Sequence, residues 1–298
     1  MSKLLRWAPV LLLIPLFITG CSGAKSEQNQ NQDQDRHDWQ KENLKGAVKS
    51  YTQSVYEATD KFGEIEKGER GYLAFVGDNN FENTTATYDK KGNLTETDHY
   101  ESDGSLYMKW KFLYDGNEKL EGLSWYDEAG TLECKWNFVF DDEGKKIEDR
   151  QYDAFGTLEG KWKYLYDEKG NLIETDSYKL DGSLDWKTVS AYDDNGNEIE
   201  RSWYKSDGSL DKKIKYAYDQ NGNLIERRSG DKDGENSKLK IAYDDKGNPI
   251  EWSSHDSEGN SEEGKCTYQY DKKGNWTQMV IYKNGVPVNI VEREYTYY

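Results

Sequence analysis

Apolar and polar residues alternate along much of this chain. In LEGKWKYLYD, residues 158–167, Leu158, Trp162, Tyr164 and Tyr166 fall on one side, and Glu159, Lys161, Lys163 and Asp167 on the other. That period of two is the pattern of a β-strand buried on one face. Leu106, Met108, Trp110, Phe112 and Tyr114 repeat it, as do Leu132, Cys134, Trp136, Phe138 and Phe140. One face is predicted to be an aromatic wall and the other a charged surface. The strands between are weaker: in NLIETDSY, residues 171–178, Leu172 and Tyr178 are assigned to the wall, which Glu174 and Asp176 interrupt.

The strands recur with a period. Tyr-Asp or Phe-Asp begins at residues 88, 114, 140, 166, 192, 218, 243 and 270, and a second phrase follows about twelve residues after each. Glycine stands four residues after the opening position in fourteen of the sixteen phrases. A type I turn followed by a left-handed residue closes a hairpin with a bulge, and glycine takes positive φ without a Cβ clash. Tyr166 and Leu172 are therefore predicted to face each other across a hairpin.

From Tyr88 to Tyr298 this gives about seventeen strands in one antiparallel meander. A right-handed twist of roughly 20° per strand forbids a flat sheet of that width. The predicted fold is all-β: an elongated, twisted meander of two-strand repeats about 26 residues long, curling its aromatic face inward, with closure into a shell left open. Residues 44–87 lie out of register and are expected to cap the first sheet edge. The expected divisions are 1–20 leader, 21–43 tether, 44–87 cap and 88–298 repeat domain.

The leader, MSKLLRWAPVLLLIPLFITG, carries Lys3 and Arg6 ahead of an apolar run, the layout of a secretory signal. Ile18-Thr19-Gly20-Cys21 resembles the bacterial lipobox, which implies lipidation of Cys21. The following Gln, Asn and Asp-rich stretch has little to bury and reads as a disordered tether. Net charge is −17, and −19 without the two leader cations, which argues against nucleic acid as a partner. Cys134 and Cys266 lie ten strands apart, about 48 Å at 4.8 Å per strand, and are expected to be buried free thiols unless the sheet closes.

YDEKGNLIE at 166–174 and YDQNGNLIE at 218–226 resemble the YD or RHS repeat of bacterial polymorphic-toxin proteins, over about 210 residues. In large RHS proteins such repeats form a spiral β-shell around a toxic domain. Small lipoproteins built only of such repeats are the nearer likeness, and that likeness implies an envelope location without an assigned chemistry. The glycine turns are also similar, less specifically, to MORN-type antitoxin repeats.

Candidate chemistry is sparse. His37 falls in the tether, His99 is assigned to the charged face and His255 to a turn, and no hydrolase, zincin or dithiol motif occurs. Glu96, Glu148, Glu174, Glu200, Glu226 and Glu251 recur with the repeat, whereas an active site is a single place, so they are read as partners of the lysine columns. DKDGENS at 231–237 resembles half a calcium loop but coincides with a repeat turn. No catalytic residue, metal or cofactor is expected. Trp125, Trp203 and Trp252 are assigned to the solvent face and are the ligand-binding candidates. The expected function is that of a noncatalytic lipoprotein of the cell envelope, on the outer membrane if the source is Gram-negative, binding a protein or a glycan. The alternative is an antitoxin-like or immunity-like protein that neutralises a cognate effector.

Overall fold

Each repeat turn is held by its own aspartate. In the Tyr166 hairpin the Asp167 amide donates to the Asn171 carbonyl (2.9 Å), and the Gly170 amide to the Asp167 carbonyl (3.0 Å). Asp167 Oδ1 accepts the Asn171 amide (2.8 Å), and the Asn171 side chain donates to Oδ2. Gly170 sits at φ +89°, as the turn requires. Tyr166 pairs with Leu172 across this hairpin, as the sequence predicts.

The structure, a computed structural model, describes residues 38–76 and 79–298. The leader, Cys21 and His37 lie outside them. The N-terminal part holds helix α1 (Asp38–Lys41) and strands β1 (Val48–Lys61), β2 (Glu64–Arg70), β3 (Leu73–Val76), β4 (Asn79–Glu82) and β5 (Thr84–Tyr88). The repeats supply β6 (Leu94–Tyr100), β7 (Leu106–Tyr114), β8 (Leu120–Asp127), β9 (Leu132–Phe140), β10 (Lys146–Asp153), β11 (Leu158–Tyr166) and β12 (Leu172–Tyr178). They continue as β13 (Leu184–Tyr192), β14 (Glu198–Lys205), β15 (Leu210–Tyr218), β16 (Leu224–Asp231) and β17 (Gly234–Tyr243). The last four are β18 (Pro249–His255), β19 (Ser261–Tyr270), β20 (Trp276–Lys283) and β21 (Val286–Tyr297).

The meander closes. β1 pairs along one edge with β21, from Val48 opposite Tyr297 to Glu57 opposite Asn289, and along the other with β5 and then β2. Strands β5 to β21 together with β1 thus form an eighteen-stranded antiparallel barrel. The segment expected to cap one edge instead joins both. Where β1 changes partner from β5 to β2, fully buried Asn83 fills the gap. Its Oδ1 accepts the Val55 amide (2.9 Å) and Arg70 Nε (3.0 Å), and its Nδ2 donates to the Gly71 carbonyl (2.6 Å).

Where a repeat opens with tyrosine and not, as at Phe140, with phenylalanine, its hydroxyl reaches back to the repeat before. Tyr114 Oη donates to the Leu94 carbonyl (2.8 Å), Tyr166 to Lys146 (2.8 Å), Tyr192 to Leu172 (2.7 Å) and Tyr218 to Glu198 (2.9 Å). Each bond crosses to the preceding hairpin, so the motif tyrosine serves two hairpins at once.

Two expectations about faces are corrected. A register shift at each Tyr-Asp hairpin leaves Ile173 unpaired, so the parity of β12 flips. Tyr178 therefore lies opposite Lys161 on the charged face, with the Lys161 ammonium 5.1 Å from its ring, instead of on the wall. His99 lies opposite Met108, on the wall side, where Nδ1 meets Glu82 (3.0 Å).

Two turns depart from the glycine rule, and the Tyr282 one is a tighter hairpin with its glycine at 285. Glu118 stands where the other repeats have glycine and still adopts φ +69°. A Cβ in that region costs on the order of 1 kcal/mol. Glu118→Gly is expected to raise stability by about 1 kcal/mol in urea-unfolding midpoints, with the circular dichroism spectrum unchanged.

Candidate functional site

The N-terminal segment identifies the concave face. The Trp39 amide donates to the Gly92 carbonyl (3.3 Å) in the β5–β6 turn, and Asn43 Nδ2 to the Lys246 carbonyl (3.0 Å) in the β17–β18 turn. Six strands separate those turns on the ring, about 29 Å of contour. Four residues of chain reach about 14 Å. The segment can meet both turns only by crossing inside the ring. Its side chains pack on the aromatic wall, with Trp39 and Leu44 against Val48, Tyr51, Tyr88 and Leu94. The aromatic wall is therefore the inner surface, and the charged face looks outward. The tether expected to run to residue 43 already contacts the barrel at Asp38, whose Oδ2 accepts the Leu94 amide (2.7 Å) and lies 3.0 Å from Tyr114 Oη, which shares its one proton between this carboxylate and the Leu94 carbonyl.

Half of this inner wall is covered by the chain itself. The hairpin β3–β4 lies on it, with Ala74 and Phe81 packed among Val55, Trp276, Met279 and Val291. The wall of β7 to β15 carries six tryptophans, Trp110, Trp125, Trp136, Trp162, Trp186 and Trp203. Trp110 stacks on Trp125, with centroids 6.2 Å apart, and lies 5.5 Å from Trp136.

Small and polar residues separate these rings. Ser177 stands between Trp162 and Trp186 across the ladder, Thr188 lies opposite Trp203, and Gln151 lies between Trp136 and Gly160. The Trp162 ring lies over Gly160, where an added Cβ would come within 2.6 Å of it. Asp149, buried opposite Trp162, accepts Tyr164 Oη (2.6 Å) and Lys146 Nζ (3.1 Å) on Oδ2, while its Oδ1 has no hydrogen-bond partner among the described residues. Indole faces alternating with hydrogen-bonding groups can hold a ligand that offers both apolar faces and hydroxyls.

The three tryptophans assigned to the solvent face are on the inner wall. The shift at each hairpin changes which alternate residues face inward, and Trp125 lies opposite Cys134 and Trp110, Trp203 opposite Thr188, and Trp252 opposite Ile241. They do not converge. Trp125 is among the β7–β9 rings, Trp203 has the Arg201 guanidinium at 5.8 Å and the Lys212 ammonium at 5.6 Å, and Trp252 is buried in the covered half. Trp162 was legible as a wall residue, but its place among the rings that β3–β4 leaves unpacked was not, because nothing local in the sequence says which strands β3–β4 will cover. Asp231, in the calcium-like stretch, serves its own turn: Oδ1 accepts the Asp233 amide (2.8 Å) and Oδ2 accepts Asn236 Nδ2 (2.9 Å). Among the described residues no three His, Cys, Asp or Glu side chains gather into a group able to hold a metal ion.

A cavity of about 390 Å³ lies beneath the N-terminal segment, lined by Glu42, Lys45, Asn248, Tyr270, Trp276 and Arg293 among others. The Arg293 guanidinium lies 4.3 Å from the Tyr51 ring and 4.2 Å from the Trp276 ring, and Nε donates to Gln53 (2.9 Å). Glu42 is buried beside it and accepts Tyr51 Oη (3.2 Å). Burial raises its carboxyl to about 7, against the lowering pull of Arg293.

No family model matches the chain, and no curated protein matches it. Among solved structures it is distantly similar to a porin-like protein from Bacteroides uniformis, at 14% identity over 84% of this chain and 98% of that one, with a TM-score of 0.40. A porin-like protein from Bacteroides vulgatus gives 14% identity, the same coverages and a TM-score of 0.36. A Photorhabdus luminescens Tc holotoxin structure gives 14% identity over 81% of this chain and a TM-score of 0.35, and this chain spans only 14% of that one. Likenesses this distant do not bear on function.

Cys134 and Cys266 are buried free thiols, and ring closure does not bring them together, since β9 and β19 remain eight strands apart by the shorter way round. Burial pushes the Cys134 thiol up to about 12. Neither thiol should react with a water-soluble disulfide reagent in the folded protein, and both should react in denaturant; fast labelling of the native chain would contradict their burial.

Glu42 titration makes stability pH-dependent. Its folded value, about 7, exceeds the ordinary 4.5, so the stability present below pH 4.5 is lost as pH rises towards 7, by on the order of 3 kcal/mol. Glu42→Gln should flatten the melting-temperature profile across that window and leave the variant more stable than the parent at pH 8.

Proposed function

We propose that this chain is a lipid-anchored, noncatalytic barrel of the bacterial envelope that binds a glycan on its uncovered inner wall. The observation that carries this reading is the uneven use of the wall. The covered half is packed by the chain's own Trp39, Ala74 and Phe81, while the β7–β15 half keeps six indoles, five of them half-buried and Trp136 buried, interleaved with Ser177, Thr188 and Gln151, which lie buried between the rings. Sugars present apolar C–H faces and a fringe of hydroxyls, and such a surface meets both. The polar groups are spread along the strands instead of converging on one reacting atom, which supports binding over catalysis.

The outward face supports a barrel that stands in water beside the membrane. Lys109 pairs with Glu96 (2.8 Å), Lys187 with Glu174 (3.1 Å) and Lys213 with Glu200 (2.8 Å) in mid-strand positions on that face. A lipid-spanning barrel needs an apolar band there. The lipobox-like Cys21 is the proposed attachment.

A glycan array probed with the unlipidated Cys21→Ser chain should retain a glycan class, and Trp125→Ala, Trp162→Ala and Trp203→Ala should each weaken binding by roughly tenfold while the fold survives. Trp252→Ala should instead lower stability by about 3 kcal/mol, since that ring is buried. Failure to retain any glycan, or retention indifferent to all three open-wall substitutions, would refute the reading.

A further inference from the structure

The two rims of the barrel differ. One carries the Tyr-Asp turns and the N-terminal segment; every turn there, from DKKGN at 89–93 to DKKGN at 271–275, is polar or glycine, and the exposed apolar residues on that side, Leu113, Leu165 and Tyr298, sit at strand ends instead of turn tips. The other, the far rim, carries the second-phrase turns and the β1–β2 tip. Four large apolar side chains project from it: Phe62 fully exposed, Phe155 at 95%, Leu180 at 70% and Val286 at 60%.

Phe62 is the most telling of them. It occupies the first position of a two-residue hairpin, at φ +60° before Gly63 at φ +90°. Asn or Gly is the ordinary choice there, and the β20–β21 turn uses Asn284 and Gly285 in that way. A bulky ring held in left-handed backbone with no packing contact to offset the strain indicates a role outside the fold.

We propose that the far rim is a lipid-contacting edge, with Phe62, Phe155, Leu180 and Val286 inserting into the interfacial layer of a bilayer. The arrangement favours a lipid surface over a shaped protein partner. The Phe155 and Leu180 turns are neighbours, as are the Val286 and Phe62 turns, but the two pairs lie on opposite sides of the ring, with six strands between them one way and eight the other. A partner that meets both pairs must be broad and deformable. The tips are isolated from one another and form no pocket. Lys61 and Lys179 adjoin two of them and Lys283 pairs across from Val286, but their ammonium groups are paired with Glu66, Asp185 and Glu262, so the apolar tips themselves carry the contact with lipid. This inference is independent of what the inner wall binds.

The test uses the unlipidated Cys21→Ser chain, whose remaining thiols are buried, carrying Leu180→Cys labelled with an environment-sensitive fluorophore. A second chain carries the label at Asn195→Cys on the opposite rim. With phosphatidylcholine vesicles containing a minor share of phosphatidylglycerol, emission from position 180 should shift to the blue and that from 195 should not. Adding Phe62→Asn, Phe155→Ser and Val286→Ser should lower partitioning about tenfold or more. Phe62→Asn suits its turn, so a folding defect does not explain that loss; circular dichroism confirms the fold. No shift at 180, equal shifts at both positions, unchanged partitioning in the triple variant, or a shift that grows with protein concentration without vesicles would each overturn the proposal.

Discussion

The double pairing of β1 is the interaction on which the rest of the molecule depends. An antiparallel meander of seventeen strands has two open edges, each a row of unpaired amides and carbonyls able to recruit another chain. β1 satisfies the last strand through the register from Val48 to Glu57 and β5, the first strand of the meander, through Ser50 to Gln53. The ring fixes which face is concave. That in turn decides which wall the tryptophans line and where the lysine and glutamate ladders look out to water.

The repeat explains the wall but not its division. Tyr114, Tyr166, Tyr192 and Tyr218 make the same bond to the preceding hairpin, so the uncovered arc is held by a nearly uniform lattice of hydroxyl-to-carbonyl contacts. The lattice breaks at the N-terminus. The non-repeating residues 38–83 lay Trp39, Ala74 and Phe81 on the wall of β1, β5, β6 and β17 to β21. The same region supplies Glu42 and the strained Phe62.

Much of the architecture was legible in the sequence because the signal is periodic and local. The turn glycines, the pairing of Tyr166 with Leu172 and the strand count follow from a period of two and a repeat of about 26 residues. What failed also has a local cause: the residue left over at each Tyr-Asp hairpin, such as Ile173, flips the parity of the next strand. Alternation counted straight through that point put Tyr178 on the wall and His99, Trp125, Trp203 and Trp252 outside it. Closure itself was not legible. Val48 meets Tyr297 across nearly the whole chain, and no neighbouring residue announces such a contact.

That last pairing gives the barrel an unusual order of completion. The strand that seals the ring is the first to leave any translocation channel, yet its edge partner β21 is the last of the twenty-one to emerge. Until then β1 must wait with one flank open, so premature termination anywhere in the repeats yields an unsealed sheet with adhesive borders. Closure should therefore be the slow, long-range step of folding.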